Sequence, residues 1–135
     1  MKIDKTKTNS IRKAFGKTLA EIGDYNEKIV VMDADLACST QTKIFGDKFP
    51  NRFFDCGIAE QDMAATAAGL ASEGKIPFIA SFAMFATGRT YDQIRNAICY
   101  PDFNVKIIGT HGGVTVGEDG ATHQALEDIS LMRGI

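Results

Sequence analysis

The chain has 135 residues, of which 44% are hydrophobic and 24% charged, so it can form the core of one compact domain. Its 15 Lys and Arg residues nearly balance 17 Asp and Glu residues, and the net charge is −2. Without a basic block, nucleic acid is excluded as a primary partner. No segment approaches the roughly 20 uninterrupted apolar residues of a membrane span, so we expect no membrane partner either.

The start of the chain is charged and is not followed by the apolar stretch of a secretory signal, which predicts a cytoplasmic location. Three cysteines, Cys38, Cys56 and Cys99, are widely spaced and form no Cys-x-x-Cys pair. This spacing indicates neither a disulfide framework nor a zinc knuckle. We expect the three side chains to act as small buried or half-buried hydrophobes.

The first predicted elements are a helix and a strand. Apolar residues recur at helical spacing from Ile11 to Ile22, after possible N-cap side chains at positions 8–10, and Gly23 predicts the end of the helix. A continuous apolar run at 28–32 then predicts a strand buried on both faces, as in parallel sheets. The phenylalanine-rich stretch after it is typical of a loop.

Strands and helices alternate in the rest of the chain. Strands are predicted at 52–56, 76–81 and 104–110, and helices at 60–74, within 89–99, and at about 122–133. This order favours an α/β fold with a doubly wound, mostly parallel sheet and helices on both faces. Such sheets bind ligands at the carboxyl ends of their strands. We expect four loops there, 33–40, 56–60, 81–88 and 111–123, in a single domain that spans 1–135.

The segment 110–124 carries the densest set of reactive side chains. It holds both histidines of the chain, His111 and His123, two adjacent acids, Glu118 and Asp119, and four glycines. Glycine allows close backbone approach to a ligand and histidine titrates near neutrality, so the segment predicts a site for a polar substrate. A flexible loop with a helix cap at Thr122 is the structural alternative. A metal site on the histidines and one acid is a weaker alternative, because the histidines lack a metal-ligand spacing.

Other candidates are ambiguous when they are taken singly. Glu60 begins an alanine-rich helix, where an acid is favoured by the helix dipole. Phe82 and Phe85 follow a strand and have the spacing of ordinary core residues. Asp33 and Asp35 end a strand, where they form turns as readily as sites. None of these residues alone identifies a reaction.

Taken together, the four loops resemble the pyrimidine-binding domain of transketolase, a thiamine-diphosphate enzyme. The resemblance runs from Arg12 onward. Its most specific part is the segment 117–124, Gly-Glu-Asp-Gly-Ala-Thr-His-Gln, preceded by Thr110-His111. Supporting motifs are 33–36, Asp-Ala-Asp-Leu, with Ser39, and 57–63, Gly-Ile-Ala-Glu-Gln-Asp-Met. The resemblance implies the thiamine-diphosphate-binding fold, in its pyrimidine domain.

The resemblance implies roles for the cofactor-binding residues. Glu60 matches the catalytic glutamate that hydrogen-bonds a ring nitrogen of the aminopyrimidine and so activates the cofactor. Phe82 and Phe85 would pack on the aminopyrimidine, which replaces the core interpretation. Asp35 would help to order the cofactor region. A third aromatic residue common in the family is Gly88 here, so either Tyr91 or Arg89 is expected to fill that space.

The substrate roles are also carried over by the resemblance. His111 and His123 would contact hydroxyl and carbonyl oxygens of the sugar, and they count with Glu60 as catalytic residues. Asp119 would bond a hydroxyl next to the reacting carbon. Arg12 and Ser39 match positions that bind the phosphate of the acceptor, a group that a planar guanidinium suits.

The family binds the diphosphate and its metal ion through a Gly-Asp-Gly motif with a downstream Asn, and nothing in this chain matches that motif. We therefore expect Mg²⁺ or Ca²⁺ to be bound by a partner domain, and no metal to be bound by this chain. The expected partner is a complementary diphosphate-binding subunit, in an α2β2 or equivalent arrangement. We also expect self-association through an apolar patch around Phe82 and the helix that begins at Glu60.

The function implied is the transfer of a two-carbon ketol unit from a ketose phosphate to an aldose phosphate, in the pentose phosphate pathway. Met1 lies just before the domain, so we expect residues 1–135 to begin a longer C-terminal subunit of a split transketolase, active only with its partner. The alternatives are 1-deoxyxylulose-phosphate synthase, the β subunit of a 2-oxo acid dehydrogenase, and a non-catalytic interaction module of the same fold. Glu118 before Asp119 favours transketolase over the synthase.

Overall fold

A computed structural model describes residues 10–135 and contains a four-stranded sheet in the order β2-β1-β3-β4. The strands are β1 (Ile29–Asp33), β2 (Phe53–Asp55), β3 (Ile76–Phe82) and β4 (Lys106–Thr110). All three neighbouring pairs are parallel, so the four carboxyl ends lie at one edge of the sheet. The predicted α/β class and parallel sheet are confirmed.

The order of the strands creates one switch point. β1 pairs with β2 on one side, with Val31 opposite Phe53, and with β3 on the other, with Val31 opposite Phe78. The chain therefore crosses from β1 to β2 on one side and then returns to form β3 on the other side of β1. In open parallel sheets the crevice at such a point is the usual place for a ligand. Here it lies beyond Asp33 of β1 and Phe82 of β3.

Helices cover both faces of the sheet, as predicted. Val31 of β1 packs in one core with Leu19 of α1 (Ile11–Tyr25) and Phe45 of α3 (Lys43–Lys48). The next residue, Met32, points to the opposite face and packs in a second core with Met63 of α4 (Glu60–Ser72). Alternation along a strand sends neighbouring side chains to opposite faces, so a run buried at every position serves two cores.

Helix α1 differs from the prediction at its end. It begins after Ser10, whose Oγ accepts a hydrogen bond from the backbone amide three residues on; positions 8 and 9 lie outside the described residues. The helix continues two residues past Gly23, so the predicted stop is wrong. A Cβ at Gly23 would lie 2.7 Å from ring atoms of both Phe45 and Phe49. Gly23 therefore allows close packing against α3 and does not terminate the helix.

The phenylalanine-rich stretch is not the loop that was predicted. It contains α3 and a 3-10 turn, Pro50–Arg52, and α2 (Ala37–Thr40) lies just before it. Arg52 lies 4.0 Å over the ring of Phe49 and donates to the carbonyl oxygens of Gly23 and Asn26 at 2.9 and 3.0 Å. The aromatic residues form the core under α1, and the arginine satisfies carbonyl groups at the end of that helix.

Two further helices differ from their predicted bounds. The helix predicted within 89–99 begins earlier, with wide π-type turns at Met84–Arg89 and Ile94–Cys99 joined by α5 (Tyr91–Gln93). The helix predicted at 122–133 is replaced by a 3-10 turn, Ala121–His123, and a short α6 (Asp128–Met132). An antiparallel bridge between Gly113 and Ala125 lies between these two elements and interrupts the helix.

The cysteines do not all behave as small core residues. Cys56 is half-buried, as expected, but Cys38 and Cys99 are exposed, so the prediction is wrong for these two. Between residues 10 and 135, no helix combines the length and the apolar character required to cross a bilayer.

Candidate active site

The predicted loops converge on a cleft at the switch point between β1 and β3. Its volume is about 310 Å³, and its walls include Asp35 after β1, Glu60 at the start of α4, Phe85 and Arg89 after β3, and His123 after β4. Loops from all four strands, with Ile58 after β2, and the first residue of a helix thus contribute to one cavity. Of the residues predicted to bind the cofactor, Asp35, Glu60 and Phe85 line it directly.

Glu60 is the buried carboxylate of this cleft. It is the first residue of α4 and is 1% exposed. Its Oε2 accepts a hydrogen bond from Nη1 of Arg89 at 2.7 Å, so the charge has a partner. We find no donor to Oε1 within residues 10–135. The carboxylate therefore has one oxygen held by the protein and one left for a ligand in the cleft.

Four rings form an aromatic cluster beside Glu60. Phe82 and Phe85 are nearly parallel, with ring centroids 6.3 Å apart and an interplanar angle of 12°. The ring of His111 lies 4.0 Å from that of Phe82, and the ring of His123 stands edge-on to Phe85 at 5.1 Å. The structure thus places both predicted histidines against the predicted phenylalanine pair. We call these four residues, Phe82, Phe85, His111 and His123, the aromatic cluster.

The aromatic cluster is not the surface patch that was expected for self-association. Phe82 is only 4% exposed, so the prediction of an exposed patch around Phe82 and the helix that begins at Glu60 is wrong for Phe82 itself. Ile58, just before α4, is 76% exposed and is the large apolar side chain at the mouth of the cleft. Burial of Phe82 follows from its position at the end of the inner strand β3.

His111 has an unusual backbone and a shifted proton affinity. Its φ angle is 54°, in the left-handed region, and its Nδ1 lies 2.8 Å from Oγ1 of Thr110. Partial burial lowers the pKa of His111, and the nearby positive charge of Arg12 lowers it further, while Asp119 opposes the shift. The imidazole is therefore neutral at pH 7 and able both to donate and to accept a hydrogen bond.

A second cavity, of about 740 Å³, lies on the other side of His111, between α1 and the loop after β4. Arg12, Phe15 and Thr115 line it together with His111. Arg12 Nη1 donates to the carbonyl oxygen of Ser39 at 2.6 Å, which ties the start of α1 to α2. Arg12 and His111 thus line this cavity and not the Glu60 cleft, and Ser39 is linked to them through its hydrogen bond with Arg12.

Asp35 is placed by a residue that the sequence did not single out. Asp35 has a φ of 61°, and its amide donates to Oδ1 of Asp55 at 3.0 Å. The same oxygen accepts from the amide of Gly57 at 2.9 Å. Asp55 thereby fixes the loops after β1 and β2 to each other. Its position at the end of a short strand carried no signal beyond that of a turn-forming acid.

The metal alternative in segment 110–124 does not form. In the part of the chain that the structure describes, no three His, Cys, Asp or Glu side chains are placed to hold a metal ion. Glu118 and Asp119 are both exposed. Asp119 is near enough to His111 to affect its pKa. Both acids therefore face solvent, and Asp119 is also close to the histidine, where a polar ligand could reach it.

Of the two residues expected to fill the space of the third aromatic residue, Arg89 is the one that lines the cleft. Its guanidinium carbon lies 4.3 Å from the centroid of the Phe85 ring, and its Nη1 bonds Glu60. The other candidate, Tyr91, has its hydroxyl beside Gly134, away from the cleft. The contact with Glu60 was missed because the two residues are 29 positions apart and on different elements.

A parallel, doubly wound sheet with a cleft at its switch point defines the class of α/β domains that bind cofactors at the carboxyl ends of their strands. The chain belongs to the transketolase family, because residues 7–135 match the family described as "Transketolase, pyrimidine binding domain". The resemblance drawn from the motifs is confirmed.

Individual relatives agree with this assignment. A protein of Methanocaldococcus jannaschii named as a transketolase C-terminal section is 58% identical over 125 residues, 93% of this chain and 40% of that protein. The transketolase of Homo sapiens is 42% identical over 92% of this chain and 20% of its own length. A solved structure described as "Split gene transketolase, inactive beta4 tetramer" superposes with a TM-score of 0.77 at 56% identity, over 90% of this chain and 39% of that chain. The chain thus spans less than half of each relative.

Proposed function

We propose that this chain supplies the pyrimidine side of a thiamine-diphosphate-dependent transketolase site. The reaction is the transfer of a two-carbon ketol unit from a ketose phosphate to an aldose phosphate. The observation that carries the proposal is the buried carboxylate of Glu60, which leaves one oxygen for a ligand in a cleft whose walls include Phe85 and His123 of the aromatic cluster. Membership of the transketolase family supports the same reaction.

The residues of the cleft fit an aminopyrimidine ring. Such a ring is flat, and it needs aromatic surface for its faces and a carboxylate for a ring nitrogen; Phe85 and Glu60 offer both in one cavity. Glu60 would hold or release a proton at that nitrogen through Oε1. Asp35, fixed by Asp55, would order the same cleft. When bound, thiamine diphosphate supplies the carbon nucleophile of the reaction.

The substrate would lie between the two cavities. His111 and His123 flank Phe82 and present ring nitrogens that can donate to or accept from sugar oxygens. Asp119, exposed near His111, would accept a bond from a sugar hydroxyl. Arg12, beside Ser39 and at the larger cavity, is placed to bind the phosphate of an acceptor.

The active form would be a complex. We propose a complementary subunit that binds the diphosphate and Mg²⁺ or Ca²⁺, because this chain is similar to a transketolase C-terminal section and to a split-gene transketolase. The solved split-gene relative is described as an inactive β4 tetramer, which supports self-association of this kind of chain without its complement. We place the complex in the cytoplasm and the reaction in the pentose phosphate pathway.

The test is the reconstituted complex of the subunit with its complement, thiamine diphosphate and magnesium. Glu60→Ala should slow exchange of the cofactor C2 hydrogen by about 10²- to 10⁴-fold, the range of an aligned proton transfer. Asp62→Ala, on the exposed side of the same helical turn, is the matched control. Wild-type exchange in Glu60→Ala would remove Glu60 from this role.

The same preparation separates the alternatives. Ketol transfer from a ketose phosphate supports the proposal, whereas activity only with pyruvate as donor would indicate 1-deoxyxylulose-phosphate synthase. Cofactor binding without turnover on either donor would indicate a non-catalytic module. Ketol transfer by the chain without its complement would overturn the need for a partner.

A further inference from the structure

Arg89 joins the two residues on which the proposed cofactor site depends. Its Nη1 donates to Oε2 of Glu60 at 2.7 Å, and its guanidinium carbon lies 4.3 Å from the centroid of the Phe85 ring. Arg89, Glu60 and Phe85 also line the same cavity. One planar side chain thus touches both the acid and the aromatic wall of the cleft.

We propose that Arg89 is a positioning residue for Glu60, an inference that rests on the proposed function. The guanidinium holds Oε2 and thereby directs the free Oε1 into the cleft, where the pyrimidine nitrogen would lie. Arg89 directly follows Gly88, which stands where a third aromatic residue is common in the family. Arg89 touches neither the reacting carbon nor the sugar in this proposal, and its effect passes through the carboxylate of Glu60.

The difference in burial between the partners explains why the contact fixes the acid. The side chain of Glu60 is 2% exposed, while that of Arg89 is 41% exposed. A buried carboxylate without its partner is strongly disfavoured, so the loss of Arg89 would let Glu60 rotate or recruit water. The half-exposed arginine can form hydrogen bonds with water in place of Glu60. The ion pair therefore matters more for the orientation of Glu60 than for that of Arg89.

The shape of the side chain matters as well as its charge. A guanidinium is flat and can lie against the Phe85 ring while its edge donates to the carboxylate. Lysine offers a point charge on a flexible stem, so it can reach Glu60 but cannot stack on the Phe85 ring and orient the carboxylate at the same time. Arg89→Lys should accordingly retain part of the effect, and Arg89→Met none of it.

The experiment compares four forms of the reconstituted complex: wild type, Arg89→Met, Glu60→Gln and the double variant. Two quantities are measured, the dissociation constant of thiamine diphosphate by calorimetry and the rate of C2 hydrogen exchange by NMR. In Arg89→Met we expect exchange to fall about 10- to 100-fold, the usual cost of a misplaced catalytic group, with a smaller rise in the dissociation constant, about 3- to 10-fold. In the Glu60→Gln background, the same substitution should change both quantities less than about 2-fold.

Arg95→Met is the matched control, because Arg95 is an exposed arginine on the same helical stretch. It should leave both quantities unchanged, and Arg89→Lys should lie between wild type and Arg89→Met. If Arg89→Met proves unfolded by its melting curve, the comparison of Arg89→Lys with wild type in both Glu60 backgrounds decides the question.

Three outcomes would overturn the role of Arg89. They are wild-type exchange in the folded variant, an equal loss with and without Glu60, and tighter cofactor binding, which would show that Arg89 competes with the pyrimidine. Failure of the proposed function looks different: Glu60→Gln itself would then leave exchange at the wild-type rate. The two failures are therefore read from separate variants of one experiment.

Discussion

The guanidinium of Arg12 donates to the carbonyl oxygen of Ser39, with 2.6 Å between Nη1 and O. The two residues are 27 positions apart, and the contact joins the first turn of α1 to α2. It also holds the arginine's charge close enough to His111 to lower the pKa of that imidazole. Arg12 thus has two effects: it belongs to the proposed phosphate site, and it influences the protonation of His111, a proposed substrate-binding residue.

Arg12→Ala should therefore raise the pKa of His111 toward its ordinary value of 6.5, although burial, the larger cause of its depression, remains. NMR titration can follow this directly, because the chain has only two histidines. Lys13→Ala, an exposed neighbour on α1, is the control and should leave His111 unchanged. No movement of the His111 titration in Arg12→Ala would show that the two charges do not interact.

The same shift affects stability in acid. A histidine whose pKa is lower in the folded protein is protonated first in the unfolded chain, so stability is lost as pH falls below about 6.5 and through the folded pKa. Arg12→Ala should make this loss smaller. Urea unfolding of wild type and variant at pH 7.5 and 5.5 measures it, and a steeper loss in the variant would contradict the assignment.

A second prediction concerns the stability contributed by the buried carboxylate of Asp33. Its carboxylate is fully buried at the end of β1, accepts from the hydroxyls of Thr40 and Thr42 at 2.6 and 2.7 Å, and from the amide of Leu36 at 2.7 Å. Asp33→Ala would leave these donors without their acceptor and should cost about 2–4 kcal/mol of unfolding free energy. Asp33→Asn keeps an oxygen for the amide and should cost less.

The pH dependence of Asp33→Asn has a defined sign. Burial raises the pKa of Asp33 above its ordinary 3.8, and the hydrogen bonds from Thr40 and Thr42 only partly offset this. The folded protein thus binds this proton more tightly than the unfolded chain, and the stability contributed is lost as pH rises from 3.8 through the folded pKa. The unfolding free energy of Asp33→Asn relative to wild type should therefore increase with pH over that window. A relative stability that falls with pH would contradict the raised pKa.

Local patterns predicted the parts of the fold that depend on neighbouring residues. The apolar runs specified the strands, and the acidic first turn of an alanine-rich segment placed Glu60 at the start of α4. Features that depend on contacts between distant parts of the chain were not predictable in this way. Arg89 meets Glu60 only because β3 and α4 pack together, and the left-handed backbone of His111 depends on the fold around it.

The elements predicted with wrong bounds have a related cause. Gly23 continues α1 because the rings of Phe45 and Phe49 occupy the space that a side chain would need. The helix predicted near the end of the chain is broken because Gly113 and Ala125 pair instead. In both cases tertiary contacts overrode the local preference of glycine or of a capped helical segment.

Two glycines in helices should respond oppositely to alanine. At Gly23 the new Cβ would lie 2.7 Å from Phe45 and Phe49, so Gly23→Ala should lower the unfolding free energy by about 1–3 kcal/mol. At Gly69, inside α4, nothing lies within 4 Å, so Gly69→Ala should raise it by about 0.5–1 kcal/mol. Denaturant unfolding of both variants tests the pair, and a stabilised Gly23→Ala would refute the close packing.

Asp119 provides the last prediction, which separates substrate recognition from cofactor binding. Asp119 is exposed and close to His111, whose pKa it raises, and it lies outside the cavity that holds Glu60. In the reconstituted complex, Asp119→Ala should weaken turnover of a ketose phosphate about 10- to 100-fold, the loss of one charge-assisted hydrogen bond to the sugar, and leave the dissociation constant of thiamine diphosphate within about 2-fold. It should also lower the pKa of His111 further, since the opposing negative charge is removed. Glu118→Ala, at the adjacent exposed acid, is the control and should change neither turnover nor the His111 titration. Equal losses in turnover and in cofactor affinity would place Asp119 with the cofactor and not with the sugar.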